Sequence, residues 1–319
     1  MKAALRRQYG DQNAITIENL EKPVPQPNEI LVKVHATTVN RTDCANLTGK
    51  PFIMKLMLGL SKPRRIILGT DFSGEILETG AAVKAFKTGD RVFGFFDMGQ
   101  ETQAEYVCIK EEVAYPMPEG VDFKIAAAGL EGAHYAYSFN HYVEIKSGQN
   151  ILINGATGAI GSALLQFIRL NDVKITATCN TKNIELIKSL GADKVIDFTT
   201  DDFTKENEQF DFVFDTVGKS TFGACKPILK DKGIYISSEL GPNSENIFYA
   251  LSSKVYGDKK VIFPIPFSLK KTIPYISELL ENGKFKPVID REYSLDQINE
   301  AYKYVLSGQK TGNVIINMQ

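Results

Sequence analysis

The residues best placed to do chemistry lie in the stretch Gly155-Ala156-Thr157-Gly158-Ala159-Ile160-Gly161. The apolar run Ile151 to Ile153 precedes it and reads as a buried strand. An apolar helical pattern follows through Leu170. A strand, a turn of small residues and a helix together suit a pyrophosphate. The turn lets the backbone approach the phosphates, and the helix N-terminus offers free N–H groups and the positive end of a dipole. The chemistry this predicts is dinucleotide binding, and with it redox catalysis.

The elements that must hold such a turn follow from periodicity. Strands are expected at 150–154, 173–178, 194–197, 210–216, 233–238 and 259–264, with helices at 158–170, 182–190 and 220–229. Strands alternating with helical runs predict a doubly wound parallel sheet. Residues before about 115 read as strand-rich. Glu29 to Ala36 alternates apolar and polar, as a half-buried strand does. Ile66 to Thr79 carries a second strand, and Thr88 to Gly94 a turn entering a third. Lys50 to Arg65, apolar and basic by turns, reads as a mobile loop or short helix near a binding cleft. Phe123 to Tyr142 reads as helical. The tail breaks the alternation with helices near 268–282 and 294–307 and a strand at 313–318. This predicts a fold of class α/β.

Composition narrows the classes. Of 319 residues, 43% are hydrophobic and 24% charged, ordinary for a globular protein. The net charge of −1, with no long basic run, argues against nucleic acid or an anionic membrane as partner. No apolar run approaches the ~20 residues that span a bilayer. The N-terminus lacks the apolar core of a signal peptide. Cys44, Cys108, Cys179 and Cys225 are far apart, as reduced thiols of a cytoplasmic protein would be. His35, His134 and His141 have no metal-ligand spacing.

Several ordered motifs carry a resemblance that runs nearly end to end. Val39-Asn-Arg-Thr-Asp43, Gly69-Thr-Asp-Phe-Ser-Gly-Glu-Ile76, Lys87-Thr-Gly-Asp-Arg-Val92 and Phe214-Asp-Thr-Val-Gly218 join the glycine turn. Together they resemble the zinc-free quinone oxidoreductase and enone reductase branch of the medium-chain dehydrogenase/reductase superfamily, which includes the zeta-crystallins. The resemblance implies a GroES-like β-rich catalytic domain, discontinuous over 1–118 and 266–319, and a Rossmann domain over 119–265. Asn40 and Thr70-Asp71 stand where zinc-dependent relatives carry Cys and a His-Glu pair. A tetrahedral zinc needs thiolate or imidazole ligands, so no metal is expected. Ala156 replaces the first glycine of the Gly-x-Gly-x-x-Gly pattern, which this branch tolerates.

An NAD site usually has an acid about 20 residues after the first glycine. Here Thr176-Ala-Thr-Cys-Asn-Thr-Lys182 has none. Asn180, Thr181 and Lys182 can meet a 2′-phosphate, so NADPH is expected, with NADH possible. Lys182 also reads as a solvated residue of the next helix. With no metal and no Ser/Tyr/Lys set, the expected reaction is hydride transfer to a quinone or an α,β-unsaturated carbonyl. A non-catalytic NADP-binding sensor or partner protein on this fold is the alternative.

The resemblance assigns further contacts. Asn40 is expected at the nicotinamide or substrate, or as a turn residue holding its own loop. Asp43 caps a helix starting at Cys44 or fixes a basic group. His134 is expected to touch the cofactor ribose, to protonate an enolate, or to be structural. Val217, Gly218 and Ser238 end strands where ligands bind. Phe263 and Ile265 line the nicotinamide pocket or belong to core, and Gly312-Asn313 sits where the family's C-terminal loop reaches the diphosphate or ribose. Phe93, Phe95 and Phe96 wall an acceptor pocket or pack the core. Relatives pair through a sheet edge, so a homodimer is expected. The segment 245–262, with Ile247, Phe248, Tyr249 and Val255, reads as that contact or as a lid.

Overall fold

A computed structural model of the chain describes residues 1–239, 241, 245–252 and 258–318. Contacts divide it into two compact units, Gly132–Thr272 and Met1–Glu131 with the chain from Ile273 onward.

In the unit Gly132–Thr272, a six-stranded sheet runs in the order Lys194–Asp197, Lys174–Cys179, Asn150–Asn154, Phe210–Asp215, Leu229–Ser237, Lys260–Ile262. Every pairing is parallel. Parallel strands need crossovers, which cover both faces, so the strands read as continuous apolar runs. Ile151, Leu152, Ile153, Val213 and Phe214 are accordingly fully buried. The order reverses between Asn150–Asn154 and Phe210–Asp215, and the carboxyl ends there form the ligand-binding edge of such sheets. Helix Ala159–Arg169 leaves that edge and buries Gly161 through Ile168.

In the other unit, a seven-stranded sheet is built on Glu29–Val39, which pairs antiparallel with Asn313–Asn317, Asp71–Thr79 and Tyr106–Lys110. Three partners leave the central strand little solvent. Between Ile30 and Val39 only Lys33 is exposed, so the sequence alternation understates the strand's burial. The strand expected from Ile66 begins at Asp71. Gly69, at φ 103°, turns the chain just before it, where a Cβ would lie 2.3 Å from Thr102 Oγ1. Strand Ile289–Ser294 pairs parallel with Asn313–Asn317, and no periodicity had marked it.

The division corrects the expected boundaries. Helix Phe123–Ala128 packs Ala127 and Ala128 against Ala36 and Ile315, which ties it to the first unit and moves the boundary from 118 to Glu131. Helix Leu269–Glu281 crosses the second boundary at Thr272, rather than at 265.

Candidate functional site: a dinucleotide edge and a buried polar cluster

The glycine turn sits at the carboxyl edge of the parallel sheet. Gly155 has φ 85°, open to residues without a Cβ, and a Cβ there would lie 2.3 Å from Val217 Cγ1. Gly161 packs the helix on the turn so closely that its Cβ would lie 2.3 Å from the Gly155 carbonyl oxygen. Gly158 is the N-cap and borders open space, where a Cβ would lie 3.7 Å from the Gly155 carbonyl oxygen. Thr157, Gly158, Ala159 and Ile160 are half-buried, whereas Gly155 and Ala156 are buried. The first-turn N–H groups have no partner within their helix. A cradle of this shape fits a dinucleotide diphosphate.

A buried polar network, unanticipated from sequence, fixes the edge. Gly155 N donates to Thr178 Oγ1 (2.9 Å), and Thr178 Oγ1 donates to Asn154 Oδ1 (2.7 Å). Asn154 Nδ2 then donates to Asp215 Oδ1 (3.1 Å). Asp215, fully buried, also accepts from Gly218 N (3.0 Å), Ser220 N (3.2 Å) and Tyr235 Oη (3.0 Å). One carboxylate thus ties three neighbouring strands directly, and a fourth through Asn154, and orients Val217 and Gly218 beside the turn. Its signal was present, an acid ending an apolar strand, but its partners lie far off in sequence.

The remaining expected contacts of this unit follow the same edge. Ser238 is half-buried one residue past Leu229–Ser237. Phe263 is half-buried just past Lys260–Ile262, and Ile265 is 65% exposed, so Ile265 is no part of the core. Asn180 and Thr181 follow Lys174–Cys179, and Asn180 Oδ1 accepts from Asn183 Nδ2 (2.7 Å). Lys182 is exposed. Thr181 Oγ1 donates to Asp197 Oδ2 at the end of the neighbouring strand. That carboxylate is held below its usual range by hydrogen bonds from Thr181 and Thr199. The sequence had shown no acid at this corner, because Asp197 arrives from the next strand.

His134 is buried, with Nδ1 2.9 Å from Thr272 Oγ1. Burial lowers its pKa to about 4, so the ring is neutral near pH 7. A neutral ring can donate or accept a hydrogen bond, but it is a poor acid for an enolate. Of the segment 245–262, Ile247 and Phe248 lie on helix Glu245–Ser252 and are 41% and 67% exposed. Val255 lies outside the described residues.

In the other unit, Asn40 is the N-cap of helix Arg41–Thr48 and is buried. Its Nδ2 donates to Thr38 Oγ1 (2.7 Å), and its Oδ1 accepts from Lys310 Nζ (3.3 Å). It holds its own loop. The helix begins at Arg41 rather than Cys44, and Asp43 lies in its first turn, where its Oδ2 accepts from Asn40 N (2.9 Å). Glu131 accepts from Thr42 Oγ1 (2.7 Å) and is pushed up to about 8 by burial. Lys310, whose pKa burial lowers, also donates to the Gly312 carbonyl. Asn313 donates from Nδ2 to the Val288 carbonyl (3.1 Å), leaving a buried Oδ1 with no protein partner. Phe93 and Phe95 are fully buried and belong to the core, while Phe96 is 38% exposed.

The positions that hold zinc in metal-dependent relatives do not fit the ion. Asp71 accepts from Thr38 N (2.7 Å), from Thr38 Oγ1 and from Thr37 Oγ1 (3.2 Å), which engages both its oxygens. Thr70 donates to Asp43 (3.2 Å), and Asn40 is committed to Thr38 and Lys310. These are amide, hydroxyl and hydrogen-bonded carboxylate groups, without thiolate or imidazole.

Comparison with known proteins agrees with this geometry. Residues 26–119 match the model of the alcohol dehydrogenase GroES-like domain, and residues 190–316 match that of a zinc-binding dehydrogenase. The chain is 31% identical to a chloroplastic quinone-oxidoreductase QR1 of Triphysaria versicolor, over 99% of this chain and 98% of that one. It is 30% identical to a chloroplast envelope quinone oxidoreductase homolog of Arabidopsis thaliana over the same shares. The solved quinone oxidoreductase of Coxiella burnetii superposes with a TM-score of 0.88 at 25% identity, covering 100% of this chain and 99% of that one. The chain belongs to the medium-chain dehydrogenase/reductase superfamily, in its zinc-free quinone and enone oxidoreductase branch. It has that branch's GroES-like domain and Rossmann-type parallel sheet, and it is an NAD(P)-dependent oxidoreductase.

Proposed function

We propose that the protein reduces a quinone or an α,β-unsaturated carbonyl with NADPH, without a metal. The observation that carries the reading is the cradle at the sheet's switch point, with Gly155 pressed against Val217 and Asp215 fixing both flanking loops. When bound, the nicotinamide supplies the hydride. The chain's part is to bind and orient. The turn and the first turn of Ala159–Arg169 would receive the diphosphate, and Val217, Gly218, Ser238 and Phe263 would flank the rest of the cofactor along the edge. His134, kept neutral, would offer a hydrogen bond to a ribose hydroxyl. Water supplies the proton that completes reduction of the acceptor.

Preference for NADPH rests on the corner at Asn180. No acid ends the strand Lys174–Cys179, and Lys182 is exposed beside it. An Arabidopsis thaliana relative, 28% identical over 99% of this chain, is named an NADPH-dependent alkenal/one oxidoreductase. Asp197, which hydrogen bonds from Thr181 and Thr199 keep ionised, opposes this preference. A homodimer through the edge strand Lys260–Ile262 and residence in the cytoplasm, where its four unpaired cysteines would stay reduced, belong to the same proposal. A non-catalytic binding role is not favoured, because the relatives reported above are named as oxidoreductases.

The test follows absorbance of NADPH and of NADH with a small quinone and, separately, an alkenal. Consumption of NADPH with either acceptor is expected. Lys182→Ala should raise KM for NADPH by about tenfold, the worth of one charge-assisted contact, and leave KM for NADH unchanged. An equal effect on both cofactors would remove Lys182 from the 2′-phosphate. Tight NADPH binding with no turnover on either acceptor would remove the reductase reading.

A further inference from the structure

The segment from Lys50 to Arg65 has a local character that the whole-chain charge conceals. Between Cys44 and Thr70 there is no Asp or Glu, yet there are five cations, Lys50, Lys55, Lys62, Arg64 and Arg65. Four of the five are exposed, and Lys55 is half-buried with its ammonium 5.3 Å from the Tyr9 ring centroid.

The same segment carries an exposed apolar stripe. Phe52 (66% exposed), Ile53 (53%), Leu56 (52%), Met57 (49%) and Leu60 (63%) recur at the spacing of one helical face, on and beside the helix Ile53–Leu58. Leu58 alone turns inward, at 7% exposure. The segment is nonetheless pinned from behind. Tyr9 Oη donates to the Gly59 carbonyl (2.6 Å), Arg64 N donates to the Leu58 carbonyl (2.9 Å), and Arg65 donates to the Gly99 carbonyl. Gly59 admits no side chain, since its Cβ would lie 2.2 Å from the Lys62 carbonyl oxygen. The stripe is therefore held outward by its own packing, not left over from a frayed end.

We infer that this segment docks the protein on the surface of an anionic lipid bilayer, with the apolar stripe in the headgroup boundary and Lys50, Lys62 and Arg64 on lipid phosphates, while Lys55 stays on the Tyr9 ring and Arg65 faces Glu101. Charge complementarity selects this occupant. A second copy of the chain would set Lys50, Lys62 and Arg64 against the same cations across a two-fold axis, which repels. An anionic bilayer satisfies both features at once, as amphipathic basic helices do at interfaces. The contact is peripheral, because no described helix is long and apolar enough to cross a membrane. This inference stands independently of which acceptor the enzyme reduces.

The test is co-sedimentation of the purified protein with phosphatidylcholine vesicles, alone or mixed with phosphatidylglycerol, at low and high salt. Binding is expected only to the mixed vesicles, weakening as salt rises. Each cation near the surface contributes about fivefold, so the triple change Lys50→Gln, Lys62→Gln, Arg64→Gln should weaken binding about a hundredfold. Leu56→Ser with Leu60→Ser should also release the protein, with its thermal midpoint unchanged because both side chains are already exposed. Absence of binding to the mixed vesicles would overturn the inference, and so would equal binding to both vesicle types. So would a wild-type dimer in solution that the double Ser variant dissociates while vesicles capture nothing.

Discussion

Consider His134→Gln. In the folded chain, burial holds the imidazole at about 4, against an ordinary value of 6.5. A depressed value means that the folded state resists protonation. The stability this imposes is fully present above the unfolded value and is lost as pH falls from 6.5 through 4. At pH 5 almost every unfolded imidazole is charged and few folded ones are, so linkage costs the wild type about 2 kcal/mol relative to pH 8. Glutamine cannot titrate, yet it can still reach Thr272. The variant should be the less stable protein at pH 8, and its deficit should shrink by about 2 kcal/mol at pH 5. In urea that is a relative shift of the midpoint by about 0.5–1 M. Comparing the two proteins cancels every other titrating group. A kinetic arm uses the same pair, because a neutral ring gives kcat no acidic limb near 6.5, and the two pH profiles should run parallel from about pH 6 to 8. A deficit that stays constant with pH would refute the burial argument. A wild-type limb near 6.5 that vanishes in the variant would show the ring acting as an acid in turnover.

Two further changes probe the site. Gly155→Ala forces a side chain to φ 85° and 2.3 Å from Val217 Cγ1. The backbone cost alone is about 1–2 kcal/mol, so NADPH affinity, read from the cofactor's own fluorescence, should fall at least about tenfold, and undiminished affinity would move the cradle elsewhere. Glu131→Gln tests the polar cluster of the other unit. Burial raises Glu131 to about 8, so the stability that depends on its protonated form is present below its ordinary 4.5 and is lost as pH rises through 8. The thermal midpoint of the variant should therefore gain on the wild type between about pH 5 and 9. A gap that narrows over that range would mean that Lys310 holds the carboxylate ionised.

The local grammar of the cofactor edge is legible in the order of the amino acids. The run Ile151 to Ile153, the small residues from Gly155 to Gly161 and the apolar period through Leu170 are contiguous, so their strand, turn and helix can be read within one window. Motif order named the family for the same reason. Strand Ile289–Ser294 carries no readable period, because its residues are half-buried at both ends and exposed at Arg291 and Glu292. The tertiary structure alone decided how the site is held. Asp215 takes donors from Tyr235, 20 residues on, and from Asn154, 61 residues back. Asn40, expected at a ligand or holding its own loop, meets Thr38 two residues back and a lysine 270 residues away, and only the first of these is local in sequence. Asp197 reaches Thr181 only because parallel strands bring their ends together. Net charge told the same lesson in reverse, since a sum of −1 says nothing of a segment that carries five cations, no acid and an exposed apolar stripe. Hydrogen bonds and exposure are properties of neighbours in space, and the chain fixes those neighbours only by folding.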